Sequence, residues 1–262
     1  MSNKQIICNK RVLIDFLVYS YFGIVPEKIF KNEKTELYGG FHDYNDYCIN
    51  KVIMAAYRDA TNQGAYNTLF KKDLYNIEKL REASKEARNK SARFLSEKIS
   101  DSENMKDGFD EWHAEVCKEL VEFHKKIRVG DDNFFTYGNA QKWVNMTMKY
   151  LWMLGLLPEK IKEENLHIPI DSFVIDALWN YENVILPCFD QNKRNREYKQ
   201  PSNFVIGWSK WKEENYNDLV KSIEHVDLVK NGKNESNLSW ENEVWITQSE
   251  KRNKSTLEAW YD

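Results

Sequence analysis

Turn-forming residues are scarce in this chain of 262 residues, which has ten glycines and five prolines. That is about half the share of an ordinary globular chain. The scarcity argues against collagen-like and turn-dense all-β architectures. Cysteine is sparse too: the four, at positions 8, 48, 117 and 188, include no C-x-x-C pair and no close histidine partner. No zinc site reads off that spacing, and the four read as reduced thiols in or near a core. Long hydrophobic runs are missing. Asp15 interrupts the first apolar stretch, which therefore lacks the form of a secretory signal. No run approaches the roughly 20 residues of a membrane span. The expectation is a cytosolic protein without a membrane partner. Charge of one sign is missing as well, since 38 Lys+Arg face 41 Asp+Glu for a net of −3. That excludes a histone-like polycation but leaves room for a local basic face. Phosphate loops, dinucleotide fingerprints and nucleophile elbows are absent, and no cofactor or metal is expected.

Apolar residues make up 42% of the chain and aromatic residues 14%, enough to build a real core. The expected class is mainly α, with residues 1–262 forming one helical domain or two closely packed lobes. Residues 11–25 are apolar and partly β-branched, and read as either a buried helix or a strand. Positions 44, 48, 52, 53 and 56 recur at helical spacing, predicting a helix to about 60 that stops near Asn62 to Gly64. Residues 71–98 carry nine Lys/Arg against five Asp/Glu. They read as a solvated surface helix or a phosphate-tracking face. Residues 101–122 have the opposite bias, eight acidic against two basic. A helix over 109–127 follows from Phe109, Trp112, Val116, Leu120, Phe123 and Ile127. Further helices are expected from Ala140 to about Leu154, from Asp171 to about Ile185, and over 209–223. The loop at 191–199 (QNKRNREYK) has a net charge of +3. His42-Asp43 and His113 lack a nucleophile or second ligand at useful spacing, and read as surface or satisfied-core residues.

The stretch that carries chemistry is 137–175, YGNAQKWVNMTMKYLWMLGLLPEKIKEENLHIPIDSFVI. On a helix from 140, Trp143, Val144, Thr147, Met148, Leu151 and Trp152 share one apolar face. Lys142, Asn145, Met146 and Lys149 cluster on another side, at spacings of three and four. Gly138 and Asn139 stand just before that start. A glycine turn there lets backbone approach a ligand, and free N–H groups suit a phosphate. Asn139 as a simple cap and Lys142 as a solvated lysine are the plain alternatives. Further on, Pro169 holds Ile168 extended, and Asp171 sits where an N-cap would sit.

GNAQK leading into an apolar helix, then IPIDSFVI beginning the next, resembles the helix-hairpin-helix base-excision DNA glycosylases. In layout it is most similar to the compact archaeal-type 8-oxoguanine DNA glycosylases. Those proteins carry a G-x-G-x-K hairpin and a P-V-D segment whose Asp begins a helix. Gly138 matches the first hairpin glycine, and Ala140 stands where the second is usual. Lys142 falls on the catalytic lysine of the bifunctional members, and Asp171 on their catalytic aspartate. The resemblance covers about residues 137–175. It implies a two-lobe helical fold, a cleft near 138–171, and a damaged or modified DNA duplex as partner. It also implies base excision with AP-lyase activity and no cofactor. Gly138, Asn139, Ala140, Asn145 and Lys149 would then contact DNA, and Lys193, Arg194, Arg196 and Lys199 would hold backbone phosphates.

The chemistry sets its own demands. A lysine that attacks a sugar carbon must be neutral, although free lysine has a pKa of about 10.4. Burial and a neighbouring cation such as Lys149 would lower it. Asp171 would stabilise charge on the sugar and move protons. The base would leave the duplex to be read. Two other readings stay open. One is a catalytically silent nucleic-acid-binding relative, the other a helical interaction or defence-associated protein with no nucleic-acid role.

Overall fold

The computed structural model describes residues 10–25, 44–61, 77–104, 108–129, 132–133, 135–187, 206–224 and 236–261, with side chains to 250 in the last stretch. The fold is mainly helical. Its α-helices are α1 (Lys10–Phe22), α2 (Tyr44–Thr61), α3 (Ile77–Ser100), α4 (Phe109–His124), α5 (Tyr137–Met153), α6 (Ser172–Leu178), α7 (Glu213–Glu224) and α8 (Asn237–Tyr261). A two-residue antiparallel pair, β1 (Arg128–Val129) with β2 (Asp132–Asn133), joins α4 to α5. None of the described helices is long and apolar enough to cross a membrane.

Helix α5 is the axis of the fold. It packs on α2 and α4, and α3 lies against both of those helices. Its apolar face behaves as the spacing predicts: Trp143, Val144, Met148 and Leu151 are buried. The Trp143 indole N–H donates to the Ile53 carbonyl on α2 at 2.9 Å. The polar side is buried as well, at Lys142, Asn145 and Lys149 with Gln141 beside them. A helix buried all round belongs to the middle of a core, and each of these polar groups then needs a partner. One hydrophobic cluster runs from Ile24 through α2, α4 and α5 to Trp211 and Trp240.

Several expected boundaries move. The 11–25 segment is helical to Phe22, not a strand, and it is not buried: Val12, Ile14 and Phe16 are largely exposed. Four consecutive apolar residues cannot share one helical face. Helix α3 is not a purely solvated rod, because Ala87, Ala92, Leu95 and Ile99 form a buried stripe. Helix α4 stops at His124, and Ile127 reaches the core from beyond its end. Helix α6 stops at Leu178 rather than near 185. Helix α7 starts at Glu213 instead of 209, because Trp208–Lys210 form a separate 3-10 turn. Lys193, Arg194, Arg196 and Lys199 lie outside the described residues, as do Cys8, Cys188, His42, Asp43, Asn62 to Gly64 and residues 71–76. Cys48 and Cys117 are buried and in no disulfide.

Candidate functional site

The start of α5 is built differently from the sequence expectation. The helix begins at Tyr137, not Ala140, and Thr136 is its cap rather than Asn139. Thr136 and Asn139 form a reciprocal capping box. The N–H groups expected to await a phosphate are occupied. Gly138 donates to the Trp211 carbonyl at 3.1 Å, and Asn139 and Ala140 donate back to Thr136. Asn139 also donates from its side chain to the Ala60 carbonyl of α2. Gly138 is required by close approach: a Cβ there would stand 1.8 Å from the Trp208 carbonyl oxygen. The 208–211 turn therefore sits directly on the N-terminus of α5, and Gly138, Asn139 and Ala140 are all buried beneath their neighbours.

Lys142 and Asp171, 29 residues apart in sequence, meet: Lys142 Nζ lies 3.2 Å from Asp171 Oδ2. The aspartate divides its two oxygens between two tasks. Oδ1 accepts the backbone N–H groups of Phe173 and Val174 and so caps α6, while Oδ2 faces the ammonium. Lys142 is 5% exposed and Asp171 9%. The Trp208 ring covers the pair, its centroid 4.6 Å from Lys142 Nζ. The open cleft expected near 138–171 is thus closed over this pair by the 208–211 turn.

Lys149 does not act as a free cation beside Lys142. It forms a close, buried ion pair with Glu241 of α8. Burial lifts the Glu241 carboxyl above its ordinary range, against the pull of Lys149, and it also feels Asp171 and Lys142. Two lysines and two carboxylates therefore form one buried, charge-balanced group joining α5, the 166–171 segment and α8. Glu241 was hidden in the sequence, since WENEVW reads as an ordinary amphipathic edge.

Asn145 does not reach outward either. Its carbonyl accepts from His113 Nε2 at 2.8 Å. Its amide lies 3.0 Å from the Tyr216 hydroxyl, 3.1 Å from Gln141 Oε1 and 3.1 Å from the Ile168 carbonyl. The Tyr216 hydroxyl in turn meets His167 Nδ1 at 2.9 Å, and His167 Nε2 meets Asp110 at 2.9 Å. These contacts run in one line through His113, Asn145, Tyr216, His167 and Asp110. Desolvation holds His113 well below the usual histidine range, and burial pushes the Tyr216 hydroxyl and Cys117 thiol up. The hydrogen bond from His167 holds the Asp110 carboxyl down. The sequence leaves His113 as a surface or satisfied-core residue, and the structure buries it; the line itself is not legible there, because its members come from four separate segments.

Two cavities flank this line, of about 200 and 240 Å³. Both are lined by Asp110, His167, Tyr216 and Glu224, and the first adds Glu164. Their acidic rims disfavour phosphate. Among the described residues no group of three or more His, Cys, Asp or Glu is placed to hold a metal ion. Comparison with protein-family models, curated proteins and solved structures finds no match to this chain.

Proposed function

We propose that this chain is a DNA base-excision glycosylase with AP-lyase activity, acting on a damaged or modified base through Lys142 and Asp171. One observation carries the reading. The two residues singled out by their resemblance to that chemistry, 29 positions apart, lie 3.2 Å from each other with no other charged group between them. In this reading α4, the 125–136 connection and α5 stand for the helix-hairpin-helix, and the helices on either side form the two lobes.

The geometry gives the reaction a proton path. Lys142 passes a proton to Asp171 Oδ2, which frees the nitrogen lone pair. The amine then attacks C1′ of the flipped nucleotide, and the base departs with the glycosidic electron pair. The departing base takes the proton held on Asp171 Oδ2. Asp171 then carries a proton from the new ammonium to O4′ as the C1′–O4′ bond breaks, which leaves a protonated Schiff base. Transfer of the C2′ proton to the Asp171 carboxylate breaks the C3′–O bond, and the 3′ phosphate leaves with that electron pair. The Trp208 ring must first move off Lys142, so the described arrangement corresponds to the closed enzyme.

A second reading has its own observation behind it. The pair is covered by Trp208 and adjoins Lys149–Glu241, as a purely structural fastening would be. Borohydride trapping decides between them, using duplexes that contain 8-oxoguanine or an abasic site. The enzyme reading expects a covalent protein–DNA adduct that disappears in Lys142→Arg. That variant keeps the charge over Trp208 but offers no amine for a Schiff base. Absence of any adduct with the wild-type chain, or an adduct that survives Lys142→Arg, returns the pair to a structural role.

A further inference from the structure

A cation-lined groove lies away from Lys142. A groove of about 460 Å³ runs between α1, α2 and α3, within the size range of small-ligand sites. Lys51 and Arg58 of α2 and Arg88 of α3 line it, with Tyr21 and Phe22 of α1 and Tyr57 of α2. No lining residue is acidic. None of the three cations makes a salt bridge among the described residues. Arg58 donates to the Tyr21 carbonyl at 3.2 Å, Arg88 to Asn89, and Lys51 lies 5.2 Å from the Tyr47 ring centre. Asp59, next to Arg58 in sequence, accepts hydrogen bonds from the Tyr21 and Tyr150 hydroxyls.

We infer that this groove binds a nucleoside phosphate, free or as part of a single strand. Three cations without acidic partners suit phosphate, which carries close to two negative charges as a terminal monoester and one for each diester along a strand. The Tyr21 ring, 39% exposed, and the Arg58 guanidinium 5.1 Å from its centre offer a planar, cationic platform for a base. The cavities around His167 have mainly acidic rims and suit an anion less well than this groove. The inference does not require Lys142 to be a nucleophile.

Equilibrium binding at low salt tests it with three probes: deoxyadenosine monophosphate, a labelled oligothymidine of about ten nucleotides, and inorganic pyrophosphate. The nucleotide or the strand should bind, and which one binds tells the source. If the strand contacts three cations, its affinity should fall with salt at a slope of about −2, at roughly 0.7 per phosphate. Arg58→Gln with Arg88→Gln should weaken binding about tenfold or more and flatten that slope. Tyr21→Leu should weaken nucleotide binding about tenfold and leave pyrophosphate unaffected. Circular dichroism confirms that the arginine variants, on half-buried or exposed helix positions, remain folded. The probes carry no lesion and no borohydride is added, which keeps this result separate from the trapping experiment. Failure of both nucleotide and strand to bind overturns the inference. So does unchanged binding in the double arginine variant, or pyrophosphate binding as tightly as the nucleotide.

Discussion

Removing Lys142 and Asp171 from water costs several kcal/mol for each ion. Their contact, the two N–H groups on Asp171 Oδ1 and the Trp208 ring offset that cost. Breaking one side leaves the other charge stranded. Lys142→Met should therefore cost about 3 kcal/mol or more in urea unfolding. Adding Asp171→Ser, which keeps a capping oxygen for α6, should recover part of the loss. A single-variant cost below about 1 kcal/mol would mean that solvent already screens the pair. Gly138 tests the neighbouring contact. Gly138→Ala drives a methyl group into the Trp208 carbonyl, and it should cost about 2 kcal/mol or more. Intrinsic tryptophan fluorescence should shift as the 208–211 turn lifts. An unshifted spectrum with unchanged stability would show that the turn is not seated on α5.

Between elements, polar contacts set what α5 packs against. On one side, α2 docks by apolar packing and two hydrogen bonds to its backbone, from Trp143 and Asn139. On the other, α8 is tied to α5 through Lys149 and Glu241. Because burial raises the Glu241 carboxyl, this tie is a weak source of net stability. The double change Lys149→Met/Glu241→Met should leave the melting temperature unchanged or raised. Glu241→Met alone should lower it, by stranding the Lys149 ammonium. A double variant less stable than either single variant would mean that the ion pair itself holds α8 in place.

Across the molecule, two buried imidazoles couple folding to acidity. Desolvation depresses His124 from 6.5 to about 4, with its Nδ1 held on the Leu120 carbonyl and its ring stacked on Phe135 at 4.0 Å. His113 is depressed as well. A folded-state value below the unfolded one means that the unfolded chain binds the proton more tightly. The stabilisation is thus complete above about pH 6.5 and is lost as pH falls through about 4. For His124 alone the full effect is about 3 kcal/mol. Urea midpoints should fall between pH 7 and pH 4, and the His124 ring should titrate near 4 in a nuclear magnetic resonance pH series. A titration near 6.5 would place that ring in water. Charge is divided at this scale too, with carboxylates around the His167 cavities and cations along the Tyr21 groove.

Local chemistry made α2, α4 and α5 legible. Apolar residues at three- and four-residue spacing leave a helix as the arrangement that gathers them on one face, and Asp171 before SFV marks a helix start. The reading failed wherever the partner came from far along the chain. The partners of Lys142, Asn145 and Lys149 are not legible in the sequence, because a polar residue shows its burial only through what covers it, and Asp171, His113, Tyr216, Glu241 and Trp208 arrive from distant segments. Sequence alone determined that the chain is mainly helical and that a polar stripe runs along α5. The tertiary structure decided that the polar side of α5 is enclosed and charge-balanced, because hydrogen bonds and ion pairs depend on distances between segments that no local pattern encodes.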